Sequence, residues 1–196
     1  APDAICFEER RKDPSVEGFD FWQHLNEMTY RILRGEWLMK KVLEDAMKGI
    51  SLLAGLPCVD RKRIGTLGHS YGGNMVLFLT AMDERISFAC ASGSACTYEH
   101  RMKNGTGIEL SSVIPGFHGK YDMDDLVKCI APRKLLLVSS EEDKYSMDAP
   151  YIVEKAGETY AQLGACGNLY HKRYPGAHAL TEERFADILE WVENQA

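Results

Sequence analysis

The sequence predicts an α/β domain: a mostly parallel open sheet of about five strands with helices on both faces. Three observations predict it. Short apolar or β-branched runs alternate with amphipathic helical patterns, the order that builds a parallel sheet with crossover helices. The runs "RIGTLG" (63–68), "ISFACAS" (86–92) and "KLLLVSS" (134–140) are nearly continuous in apolar or small residues, as strands buried on both faces must be. A length of 196 residues supports one core of good size and is short for two, so residues 1–196 read as a single domain.

The elements follow in order. "AICF" (4–7) is the first expected strand. Residues 36–54 carry Met39, Val42, Leu43, Ala46, Ile50 and Leu53 on one stripe with charges opposite, and Gly55 and Pro57 end that helix. "RIGTLG" is the second strand, 73–82 a short and strongly apolar helix, and "ISFACAS" the third strand. Residues 94–122 are glycine-rich and irregular; a connection that long inside a compact domain is usually functional or mobile. A short helix over 124–130, the strand "KLLLVSS", an amphipathic helix over 149–163 and the strand "NLYHKRY" (168–174) come next. The last helix, 181–194, opens on Thr181 as N-cap, with Arg184 three residues later where a capping box would have Glu.

Composition narrows the function. With 45% hydrophobic and 27% charged residues the chain is globular rather than disordered. A net charge of -6 argues against nucleic acid or an anionic membrane surface as partner, since both need clustered positive charge. The basic runs "EERRK" (8–12) and "DRKR" (60–63) contain acids and read as solvated loops. No apolar stretch approaches the roughly 20 residues of a membrane span, and the opening "APDAICFEER" lacks the basic n-region of a secretory leader. The six cysteines form no C-x-x-C pair, and a core of this size does not need disulfides. Free thiols in a reducing, cytoplasmic setting are expected, with Cys90 and Cys129 as small buried hydrophobes. There is no H-E-x-x-H, P-loop or dinucleotide fingerprint, so neither a metal nor another cofactor is expected.

One motif carries chemistry. Gly68-His69-Ser70-Tyr71-Gly72 fits G-x-S-x-G at the junction of a buried strand and an apolar helix. There a serine stands at the tip of a strained turn, and flanking glycines remove side chains that would collide with the adjoining strand and helix. A serine before a helix is also an ordinary cap; the glycines favour the sharper turn. A serine hydroxyl needs a base to take its proton, and a histidine base needs a carboxylate to orient it. Such a turn is followed in chain order by the acid and then the histidine. Asp143 follows the strand "KLLLVSS" and His178 follows "NLYHKRY" and a Pro-Gly turn. Glu141 and Glu142 compete for the acid's place, but Asp143 lies farther past the strand end. Of the other histidines, His69 should point away from Ser70 and pack, His24 and His171 lie within a helix and a strand, and His100 and His118 belong to the irregular segment.

The chain resembles the α/β-hydrolase superfamily, and within it the dienelactone-hydrolase-related and acetyl-xylan-esterase-like hydrolases. The stretches "PDAICFEERR", "VDRKRIGTLGHSYGGN", "DERI", "IPGFHGKYDMDDLVKCIAPRKLLLVSSEED" and "YPGAHALTEER" carry the resemblance over nearly the whole chain. It implies Ser70 as nucleophile, Asp143 as acid, His178 as base and the Tyr71 backbone N–H as an oxyanion donor, acting on a small-molecule ester. Tyr145, Met147, His118 and Tyr121 are candidates for the substrate wall. Dienelactone hydrolases proper carry cysteine at the elbow, so Ser70 favours simple ester hydrolysis through an acyl-enzyme. The resemblance also implies that "AICF" is the family's fourth strand, with a third between it and the elbow strand. The loop after that third strand, which supplies the second oxyanion donor, is expected to be missing. Either an upstream segment provides it, or "AICF" pairs directly with 63–68. In both cases an exposed sheet edge and self-association into a homo-oligomer are expected. A peptidase or thioesterase with the same triad is the alternative within enzymes, and a catalytically silent, hydrolase-shaped binding protein the alternative outside them.

Overall fold

The computed structural model describes residues 3–11, 13 and 20–195; Lys12 of the "EERRK" run lies outside them. The elements in chain order are α1 (Asp20–Leu33), α2 (Leu38–Gly55), β1 (Ile64–His69), α3 (Tyr71–Met82), β2 (Ile86–Ser92), α4 (Tyr98–Lys103), α5 (Met123–Ile130), β3 (Lys134–Ser140), α6 (Ala149–Gln162), β4 (Leu169–Tyr174) and α7 (Glu182–Glu193). The four strands form one parallel sheet in the order β1-β2-β3-β4. Among the described helices none is long and apolar enough to cross a membrane.

The alternation of side chains along each strand divides the core. Ala89 and Ala91 of β2 and Leu135 and Leu137 of β3 join Leu77, Val127 and Ile152 from α3, α5 and α6 in the main cluster. Their neighbours in sequence, Cys90, Leu136 and Val138, pack with Tyr174 and with Ile188 of α7 in a second cluster. Adjacent residues of one strand therefore feed different layers, which is why β2 and β3 read as unbroken apolar runs. The stripe of α2 meets β1, β2 and α3 through Leu43, Ala46 and Ile50 against Ile64, Leu79 and Ile86.

Three expectations are corrected. "AICF" is a turn, not a strand: Phe7 N–H donates to the Ala4 carbonyl at 3.1 Å, and Cys6 has φ 72°. The Ile5 carbonyl lies 3.0 Å from His24 Nδ1 on α1, and the Phe7 ring packs on that imidazole. This short apolar run is thus taken up by docking onto α1 rather than by a ladder. Among the described residues the sheet has four strands instead of five, with β1 and β4 at its edges. The segment 94–122 contains α4 and is anchored: Tyr98 N–H donates to Asp122 (2.7 Å), Thr97 N–H to Asp148 (3.2 Å), and the Ser111 hydroxyl to Tyr71 Oη (3.1 Å). Cys129 is exposed, on the outer side of α5. Cys90 is buried as expected, and burial pushes its thiol up to about 12.

Candidate active site

Ser70 sits between the last residue of β1 and the first of α3, with φ 59° and ψ -121°. That left-handed backbone at a non-glycine residue is a local strain on the order of 1–3 kcal/mol, of the kind that concentrates at functional sites. Neighbouring backbone holds it there: Ser70 N–H donates to the Ser92 carbonyl at 2.8 Å, and the Ser70 carbonyl accepts from Asn74 N–H at 3.1 Å. Two glycines make the junction possible. A Cβ at Gly68 would lie 2.3 Å from the Gly72 carbonyl oxygen, and one at Gly73 would lie 2.4 Å from Ser94 Oγ and 2.8 Å from the Ser92 carbonyl oxygen. Gly72, the second glycine of the motif, faces open space. The steric requirement thus falls on Gly68 and Gly73. Tyr71 opens α3, so its N–H has no intrahelical acceptor.

The structure brings Ser70, His178 and Asp143 together across 108 residues of sequence: Ser70 Oγ is 2.7 Å from His178 Nε2, and His178 Nδ1 faces Asp143 Oδ2 at 3.0 Å. Asp143 is 1% exposed, whereas Glu141 and Glu142 point into solvent. The Asp143 carboxylate also accepts from the Ser146 hydroxyl (2.7 Å) and Tyr145 N–H (2.9 Å). Burial pushes its pKa up most strongly, but His178, the Ser146 hydroxyl and the Tyr145 N–H together outweigh burial and leave it below the usual carboxylate range.

The loop that carries His178 is built from a residue that sequence reasoning passed over. The buried Arg184 guanidinium donates to the carbonyls of Pro175 (2.7 Å), Ala177 (3.0 Å) and Ala179 (2.5 Å). Its position three residues after Thr181, where a capping Glu was absent, was the available signal. Thr181 still caps α7 by accepting from Arg184 N–H at 3.3 Å. Ser146 and an ion pair also escaped notice: Arg101, 3% exposed, donates to the half-buried Glu109 at 2.8 Å, and Glu109 accepts from Asn74 Nδ2 at 3.0 Å. Asn74 lies one turn after Ser70, so this pair ties the segment 94–122 to the elbow helix.

The candidate wall residues part company. The Tyr145 ring meets the His178 ring edge-on at 5.0 Å, with the Arg101 guanidinium 5.5 Å from its centroid. Met147 is exposed, and its carbonyl accepts from Arg173 at 3.4 Å. His118 stands 3.5 Å from Glu99 and 4.0 Å from Asp122, and Tyr121 packs against Phe117. Among the described residues no group of three or more His, Cys, Asp or Glu side chains is arranged to hold a metal ion.

The chain is similar to known esterases. A carbohydrate esterase from an unknown prokaryotic organism is 24% identical over 141 residues, which is 63% of this chain and 33% of that protein. A glucuronoyl esterase from Solibacter usitatus superposes with TM-score 0.67 at 19% identity, covering 82% of this chain and 50% of the other. A Bacteroides fragilis protein assigned as an acetyl xylan esterase superposes with TM-score 0.74 at 18% identity, covering 88% and 45%. The chain thus spans about a third of the curated relative and about half of the solved ones. These likenesses show an α/β-hydrolase fold. The sequence model of the prolyl oligopeptidase family matches residues 30–145, more than half of the chain, including Ser70 and Asp143. The chain belongs to the prolyl oligopeptidase family, within the α/β-hydrolase superfamily.

Proposed function

We propose that the chain carries the catalytic centre of a serine hydrolase that cleaves carboxylic esters, with carbohydrate-borne esters as the substrate class. The observation that carries this reading is the 2.7 Å approach of Ser70 Oγ to His178 Nε2 with Asp143 3.0 Å behind the ring. The Asp143 carboxylate keeps the proton on Nδ1, which leaves Nε2 free to accept. Ser70 Oγ attacks the ester carbonyl while its proton passes to His178 Nε2. The oxyanion takes a hydrogen bond from Tyr71 N–H. Collapse expels the alcohol, which receives the proton from His178. Water, deprotonated by the same imidazole, then releases the acid and restores Ser70. The similarity to esterases supports the choice of an oxygen ester, and their carbohydrate-directed names support the substrate class.

The family match favours a second reading, cleavage of peptide amides by the same three residues. A fluorophosphonate probe tests the shared centre, with labelling expected at Ser70 and abolished in Ser70→Ala. Labelling of that variant at the parent's rate would sink both readings. Turnover of acetylated or methyl-esterified sugars, set against aminoacyl-proline amides, separates them.

A further inference from the structure

We propose that His69, the residue before the serine, is a positioning residue: its ring packs against the His178 imidazole and holds it on the line between Ser70 and Asp143. This rests on the catalytic reading of those three residues and adds a fourth that no motif names. The two imidazoles are in tilted contact, with centroids 4.9 Å apart and planes inclined by 30°. His69 is itself fixed, at the last position of β1, with Nδ1 3.1 Å from the Ser92 hydroxyl of the neighbouring strand.

Gly93 independently marks this as a built contact. It follows Ser92 with φ +57°, and a Cβ there would lie 2.6 Å from His69 Cε1 and 3.1 Å from His178 Cε1. The chain thus takes a left-handed turn at a glycine where both rings need the room. Gly93 N–H is anchored on the Val138 carbonyl at 2.9 Å, so the floor of the pair cannot drop away. Tyr145 meets His178 edge-on at 5.0 Å. Two rings therefore limit the imidazole's rotation, and Asp143 and Ser70 select one of the orientations that remain.

The chemistry needs the His69 ring to stay neutral. His178 becomes an imidazolium during each proton transfer, and a second cation packed against it would oppose that step. The charged and titratable groups that act on His69 are His178, Asp143 and Arg184. Burial lowers its pKa most and the charge of His178 next; Asp143 opposes them, and Arg184 adds the smallest lowering. Near neutral pH His69 therefore sets an uncharged aromatic ring beside the developing charge.

Three replacements separate the ring from its hydrogen bond: His69→Phe keeps a flat ring without the bond to Ser92, His69→Gln keeps polar reach without a ring, and His69→Ala keeps neither. Each is assayed in the full chain for p-nitrophenyl acetate turnover, for the rate of fluorophosphonate labelling at Ser70, and for Tm. The proposal expects Ala and Gln to lower kcat about 10- to 100-fold, the order of loss from misplacing a reacting group by about 1 Å. KM should stay within about twofold, with labelling slowed by the same factor as kcat. Phe should restore kcat to within about threefold of the parent. Should the Ala variant fail to fold, Phe against Gln still decides. A Gln variant as active as Phe, or both within twofold of the parent, overturns the role of the ring. A parent that does not label at Ser70 overturns the catalytic reading as well, whereas normal parental labelling with indifferent His69 variants defeats this inference alone.

Discussion

Gly68 and Gly72 occupy equivalent places in the motif, yet replacing each with alanine should have unlike consequences. The methyl of Gly68→Ala would sit 2.3 Å from the Gly72 carbonyl oxygen, 2.4 Å from its carbon and 2.9 Å from Gly73 N. All three are backbone atoms of the first turn of α3, so no side chain can rotate away. Relief requires β1 and α3 to separate by most of an ångström, at the upper end of overpacking costs, about 3 kcal/mol. Gly72→Ala meets nothing within 4 Å and removes unfolded-chain freedom at a helical position, a gain of up to about 0.5 kcal/mol. For a chain of this size each kcal/mol moves Tm by about 2–4 °C, so the two variants should differ by roughly 10 °C. Urea titration should show the same order in midpoint at unchanged m-value. If Gly68→Ala unfolds within about 0.5 kcal/mol of Gly72→Ala, the junction is not as tight as this structure has it and the steric account of the elbow is wrong.

Other expectations follow from particular contacts. The carboxyl of Asp143 is held below its usual pKa, so its contribution to stability is full above the unfolded value, about 3.9, and is lost as pH falls through the folded one. Asp143→Asn should therefore be less stable than the parent by about 1.5–3 kcal/mol near neutrality, with the gap closing below about pH 4 in denaturation series across pH. Leu137→Ala, at a fully buried position of β3, should cost about 2–5 kcal/mol, whereas Leu67→Ala, 52% exposed on edge strand β1, should stay within about 0.5 kcal/mol by the same assay. Glu109→Gln strips the counter-charge from buried Arg101 and should cost about 3 kcal/mol; in a double-mutant cycle, adding Arg101→Met should recover much of that loss.

The strands at 86–92 and 134–140 could be read to the residue because central parallel strands are apolar on both faces, and that pattern has few rivals. The helices over 149–163 and 181–194 were legible from their stripes and caps. "AICF" shows the limit: four apolar residues suit a strand or a docked turn equally well, and the choice fell to His24, whose place against Ile5 and Phe7 no local pattern reveals. Cys129 was misread for a similar reason, since a single residue on a short amphipathic helix changes face with a small rotation.

By itself the sequence determined the parallel α/β architecture and the glycine-framed serine at a strand-to-helix junction, because periodicity and turn chemistry are written within a few neighbouring residues. The place of Asp143 past its strand end already set it ahead of Glu141 and Glu142, and the packed chain has it behind His178 with both glutamates in solvent. Tertiary structure alone decided that Arg184 holds the histidine loop, that His69 and Gly93 shape the space beneath the imidazole, and that Tyr145 meets His178 while His118 meets Glu99 and Tyr121 packs on Phe117. Those outcomes depend on which side chains meet when distant strand ends converge on one edge of the sheet. Distance and burial, which settle them, are properties of the packed chain and not of any segment.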